Sequence, residues 1–162
     1  MIGRYAVVAS RIRQDLVEIE RVVRRVERAI LAARHHTAEQ DLFLDSAALN
    51  LHDFYSGLER IFEHIASGVD RSIPSEHDWH RELLRQMAAE IPGLRPQVIS
   101  RETADAVDEY LRFRHVVRNV YAFELHPERI ERLASDLGPA FDQARSELLA
   151  FAAFLEGLAQ EG

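Results

Sequence analysis

The chain has no lysine and no cysteine, and only one tryptophan, five prolines and seven glycines in 162 residues. Without cysteine there are no disulfides and no thiolate metal centres. Without lysine, all 20 fixed positive charges are arginines, a bias read here as GC-rich coding rather than a chemical demand. No apolar run reaches the 18 or so residues a membrane-spanning helix needs. The opening "MIGRYAVVASRIRQD" has too short an apolar patch, followed too soon by charge, for a signal peptide, so a cytoplasmic location is expected. Glycine-rich phosphate loops, nucleophile elbows and zinc motifs are also missing. Alternating apolar and polar residues, the mark of a half-buried strand, are not found.

What is present is apolar content of 47% and a net charge of −7. The length suits one domain, spanning 1–162, with a substantial core. The acidic balance argues against a sequence-blind nucleic-acid coat, yet a small arginine-lined cleft acts through its local field rather than through the total.

Apolar residues recur at helical spacing almost throughout. Val8, Ile12, Leu16, Ile19, Val23, Val26 and Ile30 predict a helix over about 7–34. Leu42, Ala48, Leu51, Phe54, Leu58, Ile61, Phe62 and Ile65 predict a second over about 39–69, stopped by "GVDRSIP". Ser75 and Asp78 have the spacing of a capping box opening a shorter helix over 76–90. "IPGLRP" predicts a loop. A helix then starts at Ser100 or Arg101 and reaches about Tyr121. Pro127 opens the last helical region, which Gly138-Pro139 should kink or restart before the run to Leu158. The fold class is therefore all-α: an up-and-down helical bundle with two long N-terminal helices.

The stretch "YLRFRHVVRNVYAFEL" (110–125) is chemically dense. At about 100° per residue, Arg114, Tyr121, Arg118, His115 and Asn119 fall within one arc, and Phe113, Val116, Val117 and Val120 within the opposite one. Guanidinium forks match phosphate oxygens, imidazole exchanges protons near neutral pH, and a phenol stacks or hydrogen-bonds on a base. Metal-free RNA cleavage needs such groups. A plain solvated face, with Asp108 or Glu109 pairing some of the arginines, is the competing reading. His77 and His80, or His52 beside Asp53, have spacings that suit a metal, but no third ligand accompanies them, and surface histidines are the simpler reading. Trp79 reads as a hydrophobic anchor. Phe151, Phe154, Leu155 and Leu158 form a core or interface stripe. A plain scaffold or a metal-dependent bundle enzyme stays open on these residues alone.

This stretch resembles the signature of the HEPN superfamily, and in particular its HepT-like ribonuclease toxins. That signature is an arginine, a polar residue, a spacer, a histidine five after the arginine and a tyrosine two beyond. Arg114, His115 and Tyr121 fit; Asn119 stands where the histidine belongs. "LNLHDFYSGLERIFEHIA" and "WHRELLRQMAAEIPGLRP" are similar to further segments of the family, so the likeness covers about residues 10–155.

The resemblance implies a HEPN-like homodimer with a composite cleft. It implies metal-independent endoribonuclease activity on RNA as the toxin of a type II toxin–antitoxin pair, and an MNT-type nucleotidyltransferase antitoxin as partner. Neither cofactor nor metal is implied. By the resemblance, Arg114 holds phosphate and Tyr121 binds RNA and is the residue the antitoxin adenylylates. On the same face Arg118 either adds phosphate binding or pairs with Glu124 or a carboxylate of the second helix. Asn119 does not titrate usefully; either His115 takes over proton transfer while Asn119 orients RNA, or the domain is a catalytically silent subunit binding a nucleotidyltransferase or nucleotide. Tyr55 and Glu59, a turn apart on the second helix, are candidate supports behind the motif, Glu59 orienting Arg114; pairing of Glu59 within its own helix is the alternative.

Overall fold

The computed structural model describes residues 2–121 and 124–161, and among them five α-helices and no strand. These are α1 (Ile2–His35), α2 (Gln40–Ile65), α3 (Trp79–Ala88), α4 (Arg101–Asn119) and α5 (Pro127–Glu161). A single 3-10 turn, Thr37–Glu39, reverses the chain between α1 and α2. One π turn, Ala66–Asp70, ends α2. The architecture is the all-α, HEPN-like bundle that the periodicity and the resemblance predict.

The apolar stripes explain the packing. Every residue of the α1 stripe is buried, as are Leu51, Phe54, Leu58, Ile61, Phe62 and Ile65 of α2 and Phe151 and Leu155 of α5. Helix α1 lies against both α2 and α5. Gly57 makes the α1–α2 contact possible: a Cβ there would sit 2.8 Å from Ile19 Cγ1. Helix α4 lies on α2 and α5, and α3 closes over α2 and α4. Phe54 meets Tyr110 of α4 edge-on at 5.1 Å and Phe141 of α5 at 6.3 Å between ring centroids. Tyr110 also donates to the Leu133 carbonyl of α5 at 2.8 Å.

Several boundaries differ from the sequence reading. Helix α1 starts at Ile2 rather than near Val7. Ser75 and Asp78 form no capping box: α3 opens only at Trp79, and Asp78 precedes it with no side-chain cap bond. Leu42 is 62% exposed, because α2 has only just begun there and nothing covers that turn. Helix α5 runs unbroken through Gly138-Pro139, with Pro139 inside it; the loss of one backbone bond is absorbed by a long, well-packed helix. Most consequential, α4 ends at Asn119, so Tyr121 lies beyond the helix on which the wheel places it.

Two polar knots hold the shorter segments. Arg95, from the loop after α3, is buried and forks onto Asp70 of the π turn, with Nε to Oδ1 at 2.5 Å and a terminal nitrogen to Oδ2 at 2.7 Å. Its remaining donors reach the carbonyls of Gln86, Ala89 and Pro96, so it also caps the C-terminus of α3. The second knot is at the start of α4. Glu147 of α5 accepts from the Ser100 backbone N–H and from the Ser100 and Thr103 hydroxyls, while the Ser100 hydroxyl caps Thr103 N–H. Burial pushes the Glu147 carboxyl up, but these bonds outweigh it and hold its pKa below the ordinary glutamate value.

Removing one partner from a fully buried pair strands the other charge, so Arg95→Ala should lower stability by about 3–5 kcal/mol, read from chemical denaturation. A depressed folded pKa stabilises above the unfolded carboxylate value and loses that contribution as pH falls through the folded one. Stability of the wild type should therefore drop more steeply than that of Glu147→Gln below about pH 4.5, in parallel thermal melts across pH.

Candidate functional site

The end of α4 and the middle of α2 build one polar region. Arg114 follows Tyr110 by one turn, and so falls on α2 just past Phe54. Its Nε donates to the Ser56 hydroxyl at 3.2 Å, and its side chain is half-buried. Among the described residues no carboxylate pairs with Arg114, although acids outnumber arginines in the chain. A guanidinium held by a neutral hydroxyl keeps its charge for an incoming anion.

The rest of the motif surrounds it more openly. His115, Arg118 and Asn119 are exposed. Arg118 makes no ion pair among the described residues, neither with Glu124 nor with α2. Asp108 instead takes Arg112 at 2.9 Å, with Arg81 of α3 at 3.9 Å. The Asn119 amide turns back on its own helix, donating to the His115 carbonyl at 2.6 Å. Val120 then leaves the helix in extended conformation, and Tyr121 is 71% exposed. The structure thus brings Arg114, His115, Arg118 and Asn119 to the last turns of α4, with Tyr121 just beyond them on extended chain.

Behind Arg114 the arrangement differs from the expected one. Glu59 is buried at 4% exposure, yet among the described residues it pairs neither with Arg114 nor with an arginine of its own helix. Its Oε2 lies 2.6 Å from Nδ1 of His80, on the first turn of α3. Sequence spacing hides this pair, because the two residues are 21 apart and joined only by the turn from α2 to α3. His80, read from sequence as a surface residue, is partly buried, with its ring 3.6 Å from that of Trp79. Tyr55 is fully buried, and its hydroxyl has no hydrogen-bond partner with good geometry although Glu59 lies beside it. Burial, then the Glu59 charge, drive its pKa far above the ordinary phenol value, against the pull of Arg114. Tyr55 therefore stays neutral.

No group of three histidine or acidic residues among those described is placed to hold a metal ion. Of the two histidines singled out for their spacing, His80 has its Nδ1 engaged by Glu59. The site offers charge, hydroxyls and imidazoles, which suits a phosphodiester.

The fold is an all-α bundle with Arg114, His115, Arg118 and Asn119 at the end of its fourth helix and Tyr121 just beyond it. A family model of HepT-like proteins matches residues 46–155, from α2 through most of α5. The chain belongs to the HepT-like family. No curated protein and no solved structure matches it.

An orphaned hydroxyl contributes little to stability, so Tyr55→Phe should leave the unfolding free energy unchanged or raise it by up to about 1 kcal/mol, measured by urea denaturation.

Proposed function

We propose that the protein is the toxin of a toxin–antitoxin pair and cleaves RNA without metal. The observation that carries this reading is Arg114: a half-buried guanidinium in the family's motif position, bonded only to Ser56 and matched by no carboxylate among the described residues. In this role Arg114 holds the scissile phosphate and stabilises the charge that builds there. Arg118 meets an adjoining phosphate. Tyr121 stacks on a base and, being well exposed, is open to adenylylation by an MNT-type nucleotidyltransferase antitoxin. His115 is the imidazole at this end of α4 and serves in proton transfer.

The working form in this reading is a homodimer acting in the cytoplasm. Leu42 and Leu49 are 62% and 58% exposed and seven residues apart on α2. One further heptad leads to Ser56, so these two leucines form a short ridge on the face of the helix that leads to the foot of Arg114. Burying that ridge against a second copy would bring two motifs to one cleft.

Asn119 favours a second reading. Its amide is engaged with the His115 carbonyl and holds no proton to exchange. On that reading the domain binds a nucleotidyltransferase or nucleotide through the arginine cleft and does no chemistry.

A labelled single-stranded RNA, incubated with pure protein in chelator, separates the two. Cleavage that falls by about 100-fold in Arg114→Ala and by a similar factor in His115→Ala supports the first. Intact RNA with wild-type protein supports the second. Cleavage unchanged in His115→Ala removes that histidine from the chemistry.

A further inference from the structure

The motif lacks its histidine, but a different imidazole is built into the wall behind Arg114. We infer that His80, held by the buried carboxylate of Glu59, is the proton acceptor of this site. The inference rests on the ribonuclease reading and supplies the group that Asn119 cannot.

The geometry has three parts. First, a Glu59 carboxylate 2.6 Å from Nδ1 of His80 selects, for the neutral imidazole, the tautomer with its hydrogen on Nδ1 and its lone pair on Nε2. A carboxylate locking an imidazole tautomer in this way is the orienting arrangement used by acid–base histidines. Second, the pair lies next to the phosphate-binding group. Ser56, which seats Arg114, and Glu59, which seats His80, are three residues apart on one face of α2, about 5–6 Å between Cβ atoms. Tyr55 lies close enough to both Glu59 and Arg114 to feel their charges, which ties the two anchors into one cluster. Third, the imidazole is reachable: Glu59 has 5% of its side chain exposed, while His80 has 25%. Trp79 stacks on the ring and restricts its rotation.

A solely structural pair would not need the partly open edge of His80 beside an uncompensated arginine. Glu59 of α2 contacts this imidazole directly; around the pair stand Tyr55 of α2, which feels the Glu59 charge, and Asp108 of α4, whose charge also reaches Tyr55 and which takes Arg81 and Arg112. Arg114 stands one turn away along α2.

The step balances without metal or redox partner. RNA bound with its phosphate on Arg114 presents the neighbouring 2′-hydroxyl to Nε2 of His80. The 2′-oxygen forms its bond to phosphorus as its proton passes to Nε2. The bond from phosphorus to the 5′-oxygen breaks, and that oxygen takes a proton from the α4 terminus, where His115 stands. A 2′,3′-cyclic phosphate and a 5′-hydroxyl result. Glu59 is the positioning residue: it touches no substrate and acts through His80.

The test uses the full-length protein and a labelled single-stranded RNA in chelator, with anisotropy for binding and single-turnover cleavage for rate. His80→Gln should cut the rate by about 100-fold or more while RNA affinity stays within about twofold, because general-base loss acts on the transition state. Free imidazole should restore part of the rate to His80→Ala. Glu59→Gln keeps the shape and the histidine, and covers the case in which His80 variants fold poorly; it should displace the acidic limb of the pH–rate profile. If His80→Gln and Glu59→Gln cleave at the wild-type rate with the wild-type pH profile while Arg114→Ala does not cleave, the dyad is structural and the ribonuclease reading stands without it. If wild-type protein binds RNA through Arg114 and never cleaves it, both fall together.

Discussion

The edge-on contact of Phe54 with Tyr110 sets the register of α4 on α2. Phe54 also meets Phe141 of α5, and the Tyr110 hydroxyl is tied to a carbonyl of α5, so three helices lock at one aromatic joint. The residues of the candidate site are measured from it. Tyr55 and Ser56 follow Phe54, Glu59 is one turn on, and Arg114 is one turn beyond Tyr110. A shift of the joint by one turn would move the guanidinium some 5 Å along α2 and off its hydroxyl. Position here comes from packed rings, and charge is then fitted to the place they define.

The core was readable because burial and helical period are the same signal. Nearly every apolar residue on the stripes of α1 and α2 is buried as its spacing predicts. Long-range polar pairing leaves no such trace. Glu59–His80, Arg95–Asp70 and Ser100–Glu147 join residues 21, 25 and 47 apart, and nothing in local spacing marks them. Leu42 misled because period tells which face a residue takes, not whether that turn is covered. Tyr121 misled for a different reason: a wheel holds only while the helix lasts, and β-branched Val120 leaves it after the Asn119 side chain has closed the last turn. The motif arginine was legible by resemblance; its seat on Ser56 needed three dimensions.

The absence of lysine takes on meaning beside these contacts. A fork with several fixed donors lets Arg95 satisfy a carboxylate and three carbonyls at once, which an ammonium could not do. The same rigid fork on Arg114 places its Nε on Ser56. One residue type therefore stands both as a buried clamp and as a guanidinium with no acid opposite it among the described residues.

The amide of Asn119 has a counterpart at the far end of α1. There His35 and His36 each direct Nδ1 to the carbonyl four residues back, at 2.8 and 3.2 Å, as Asn119 does to His115. An imidazole can thus finish a helix in this chain as well as a carboxamide can, and it would still hold a second nitrogen outward. Asn119 thus supplies the helix-closing bond that an imidazole could also make there, without a ring that titrates.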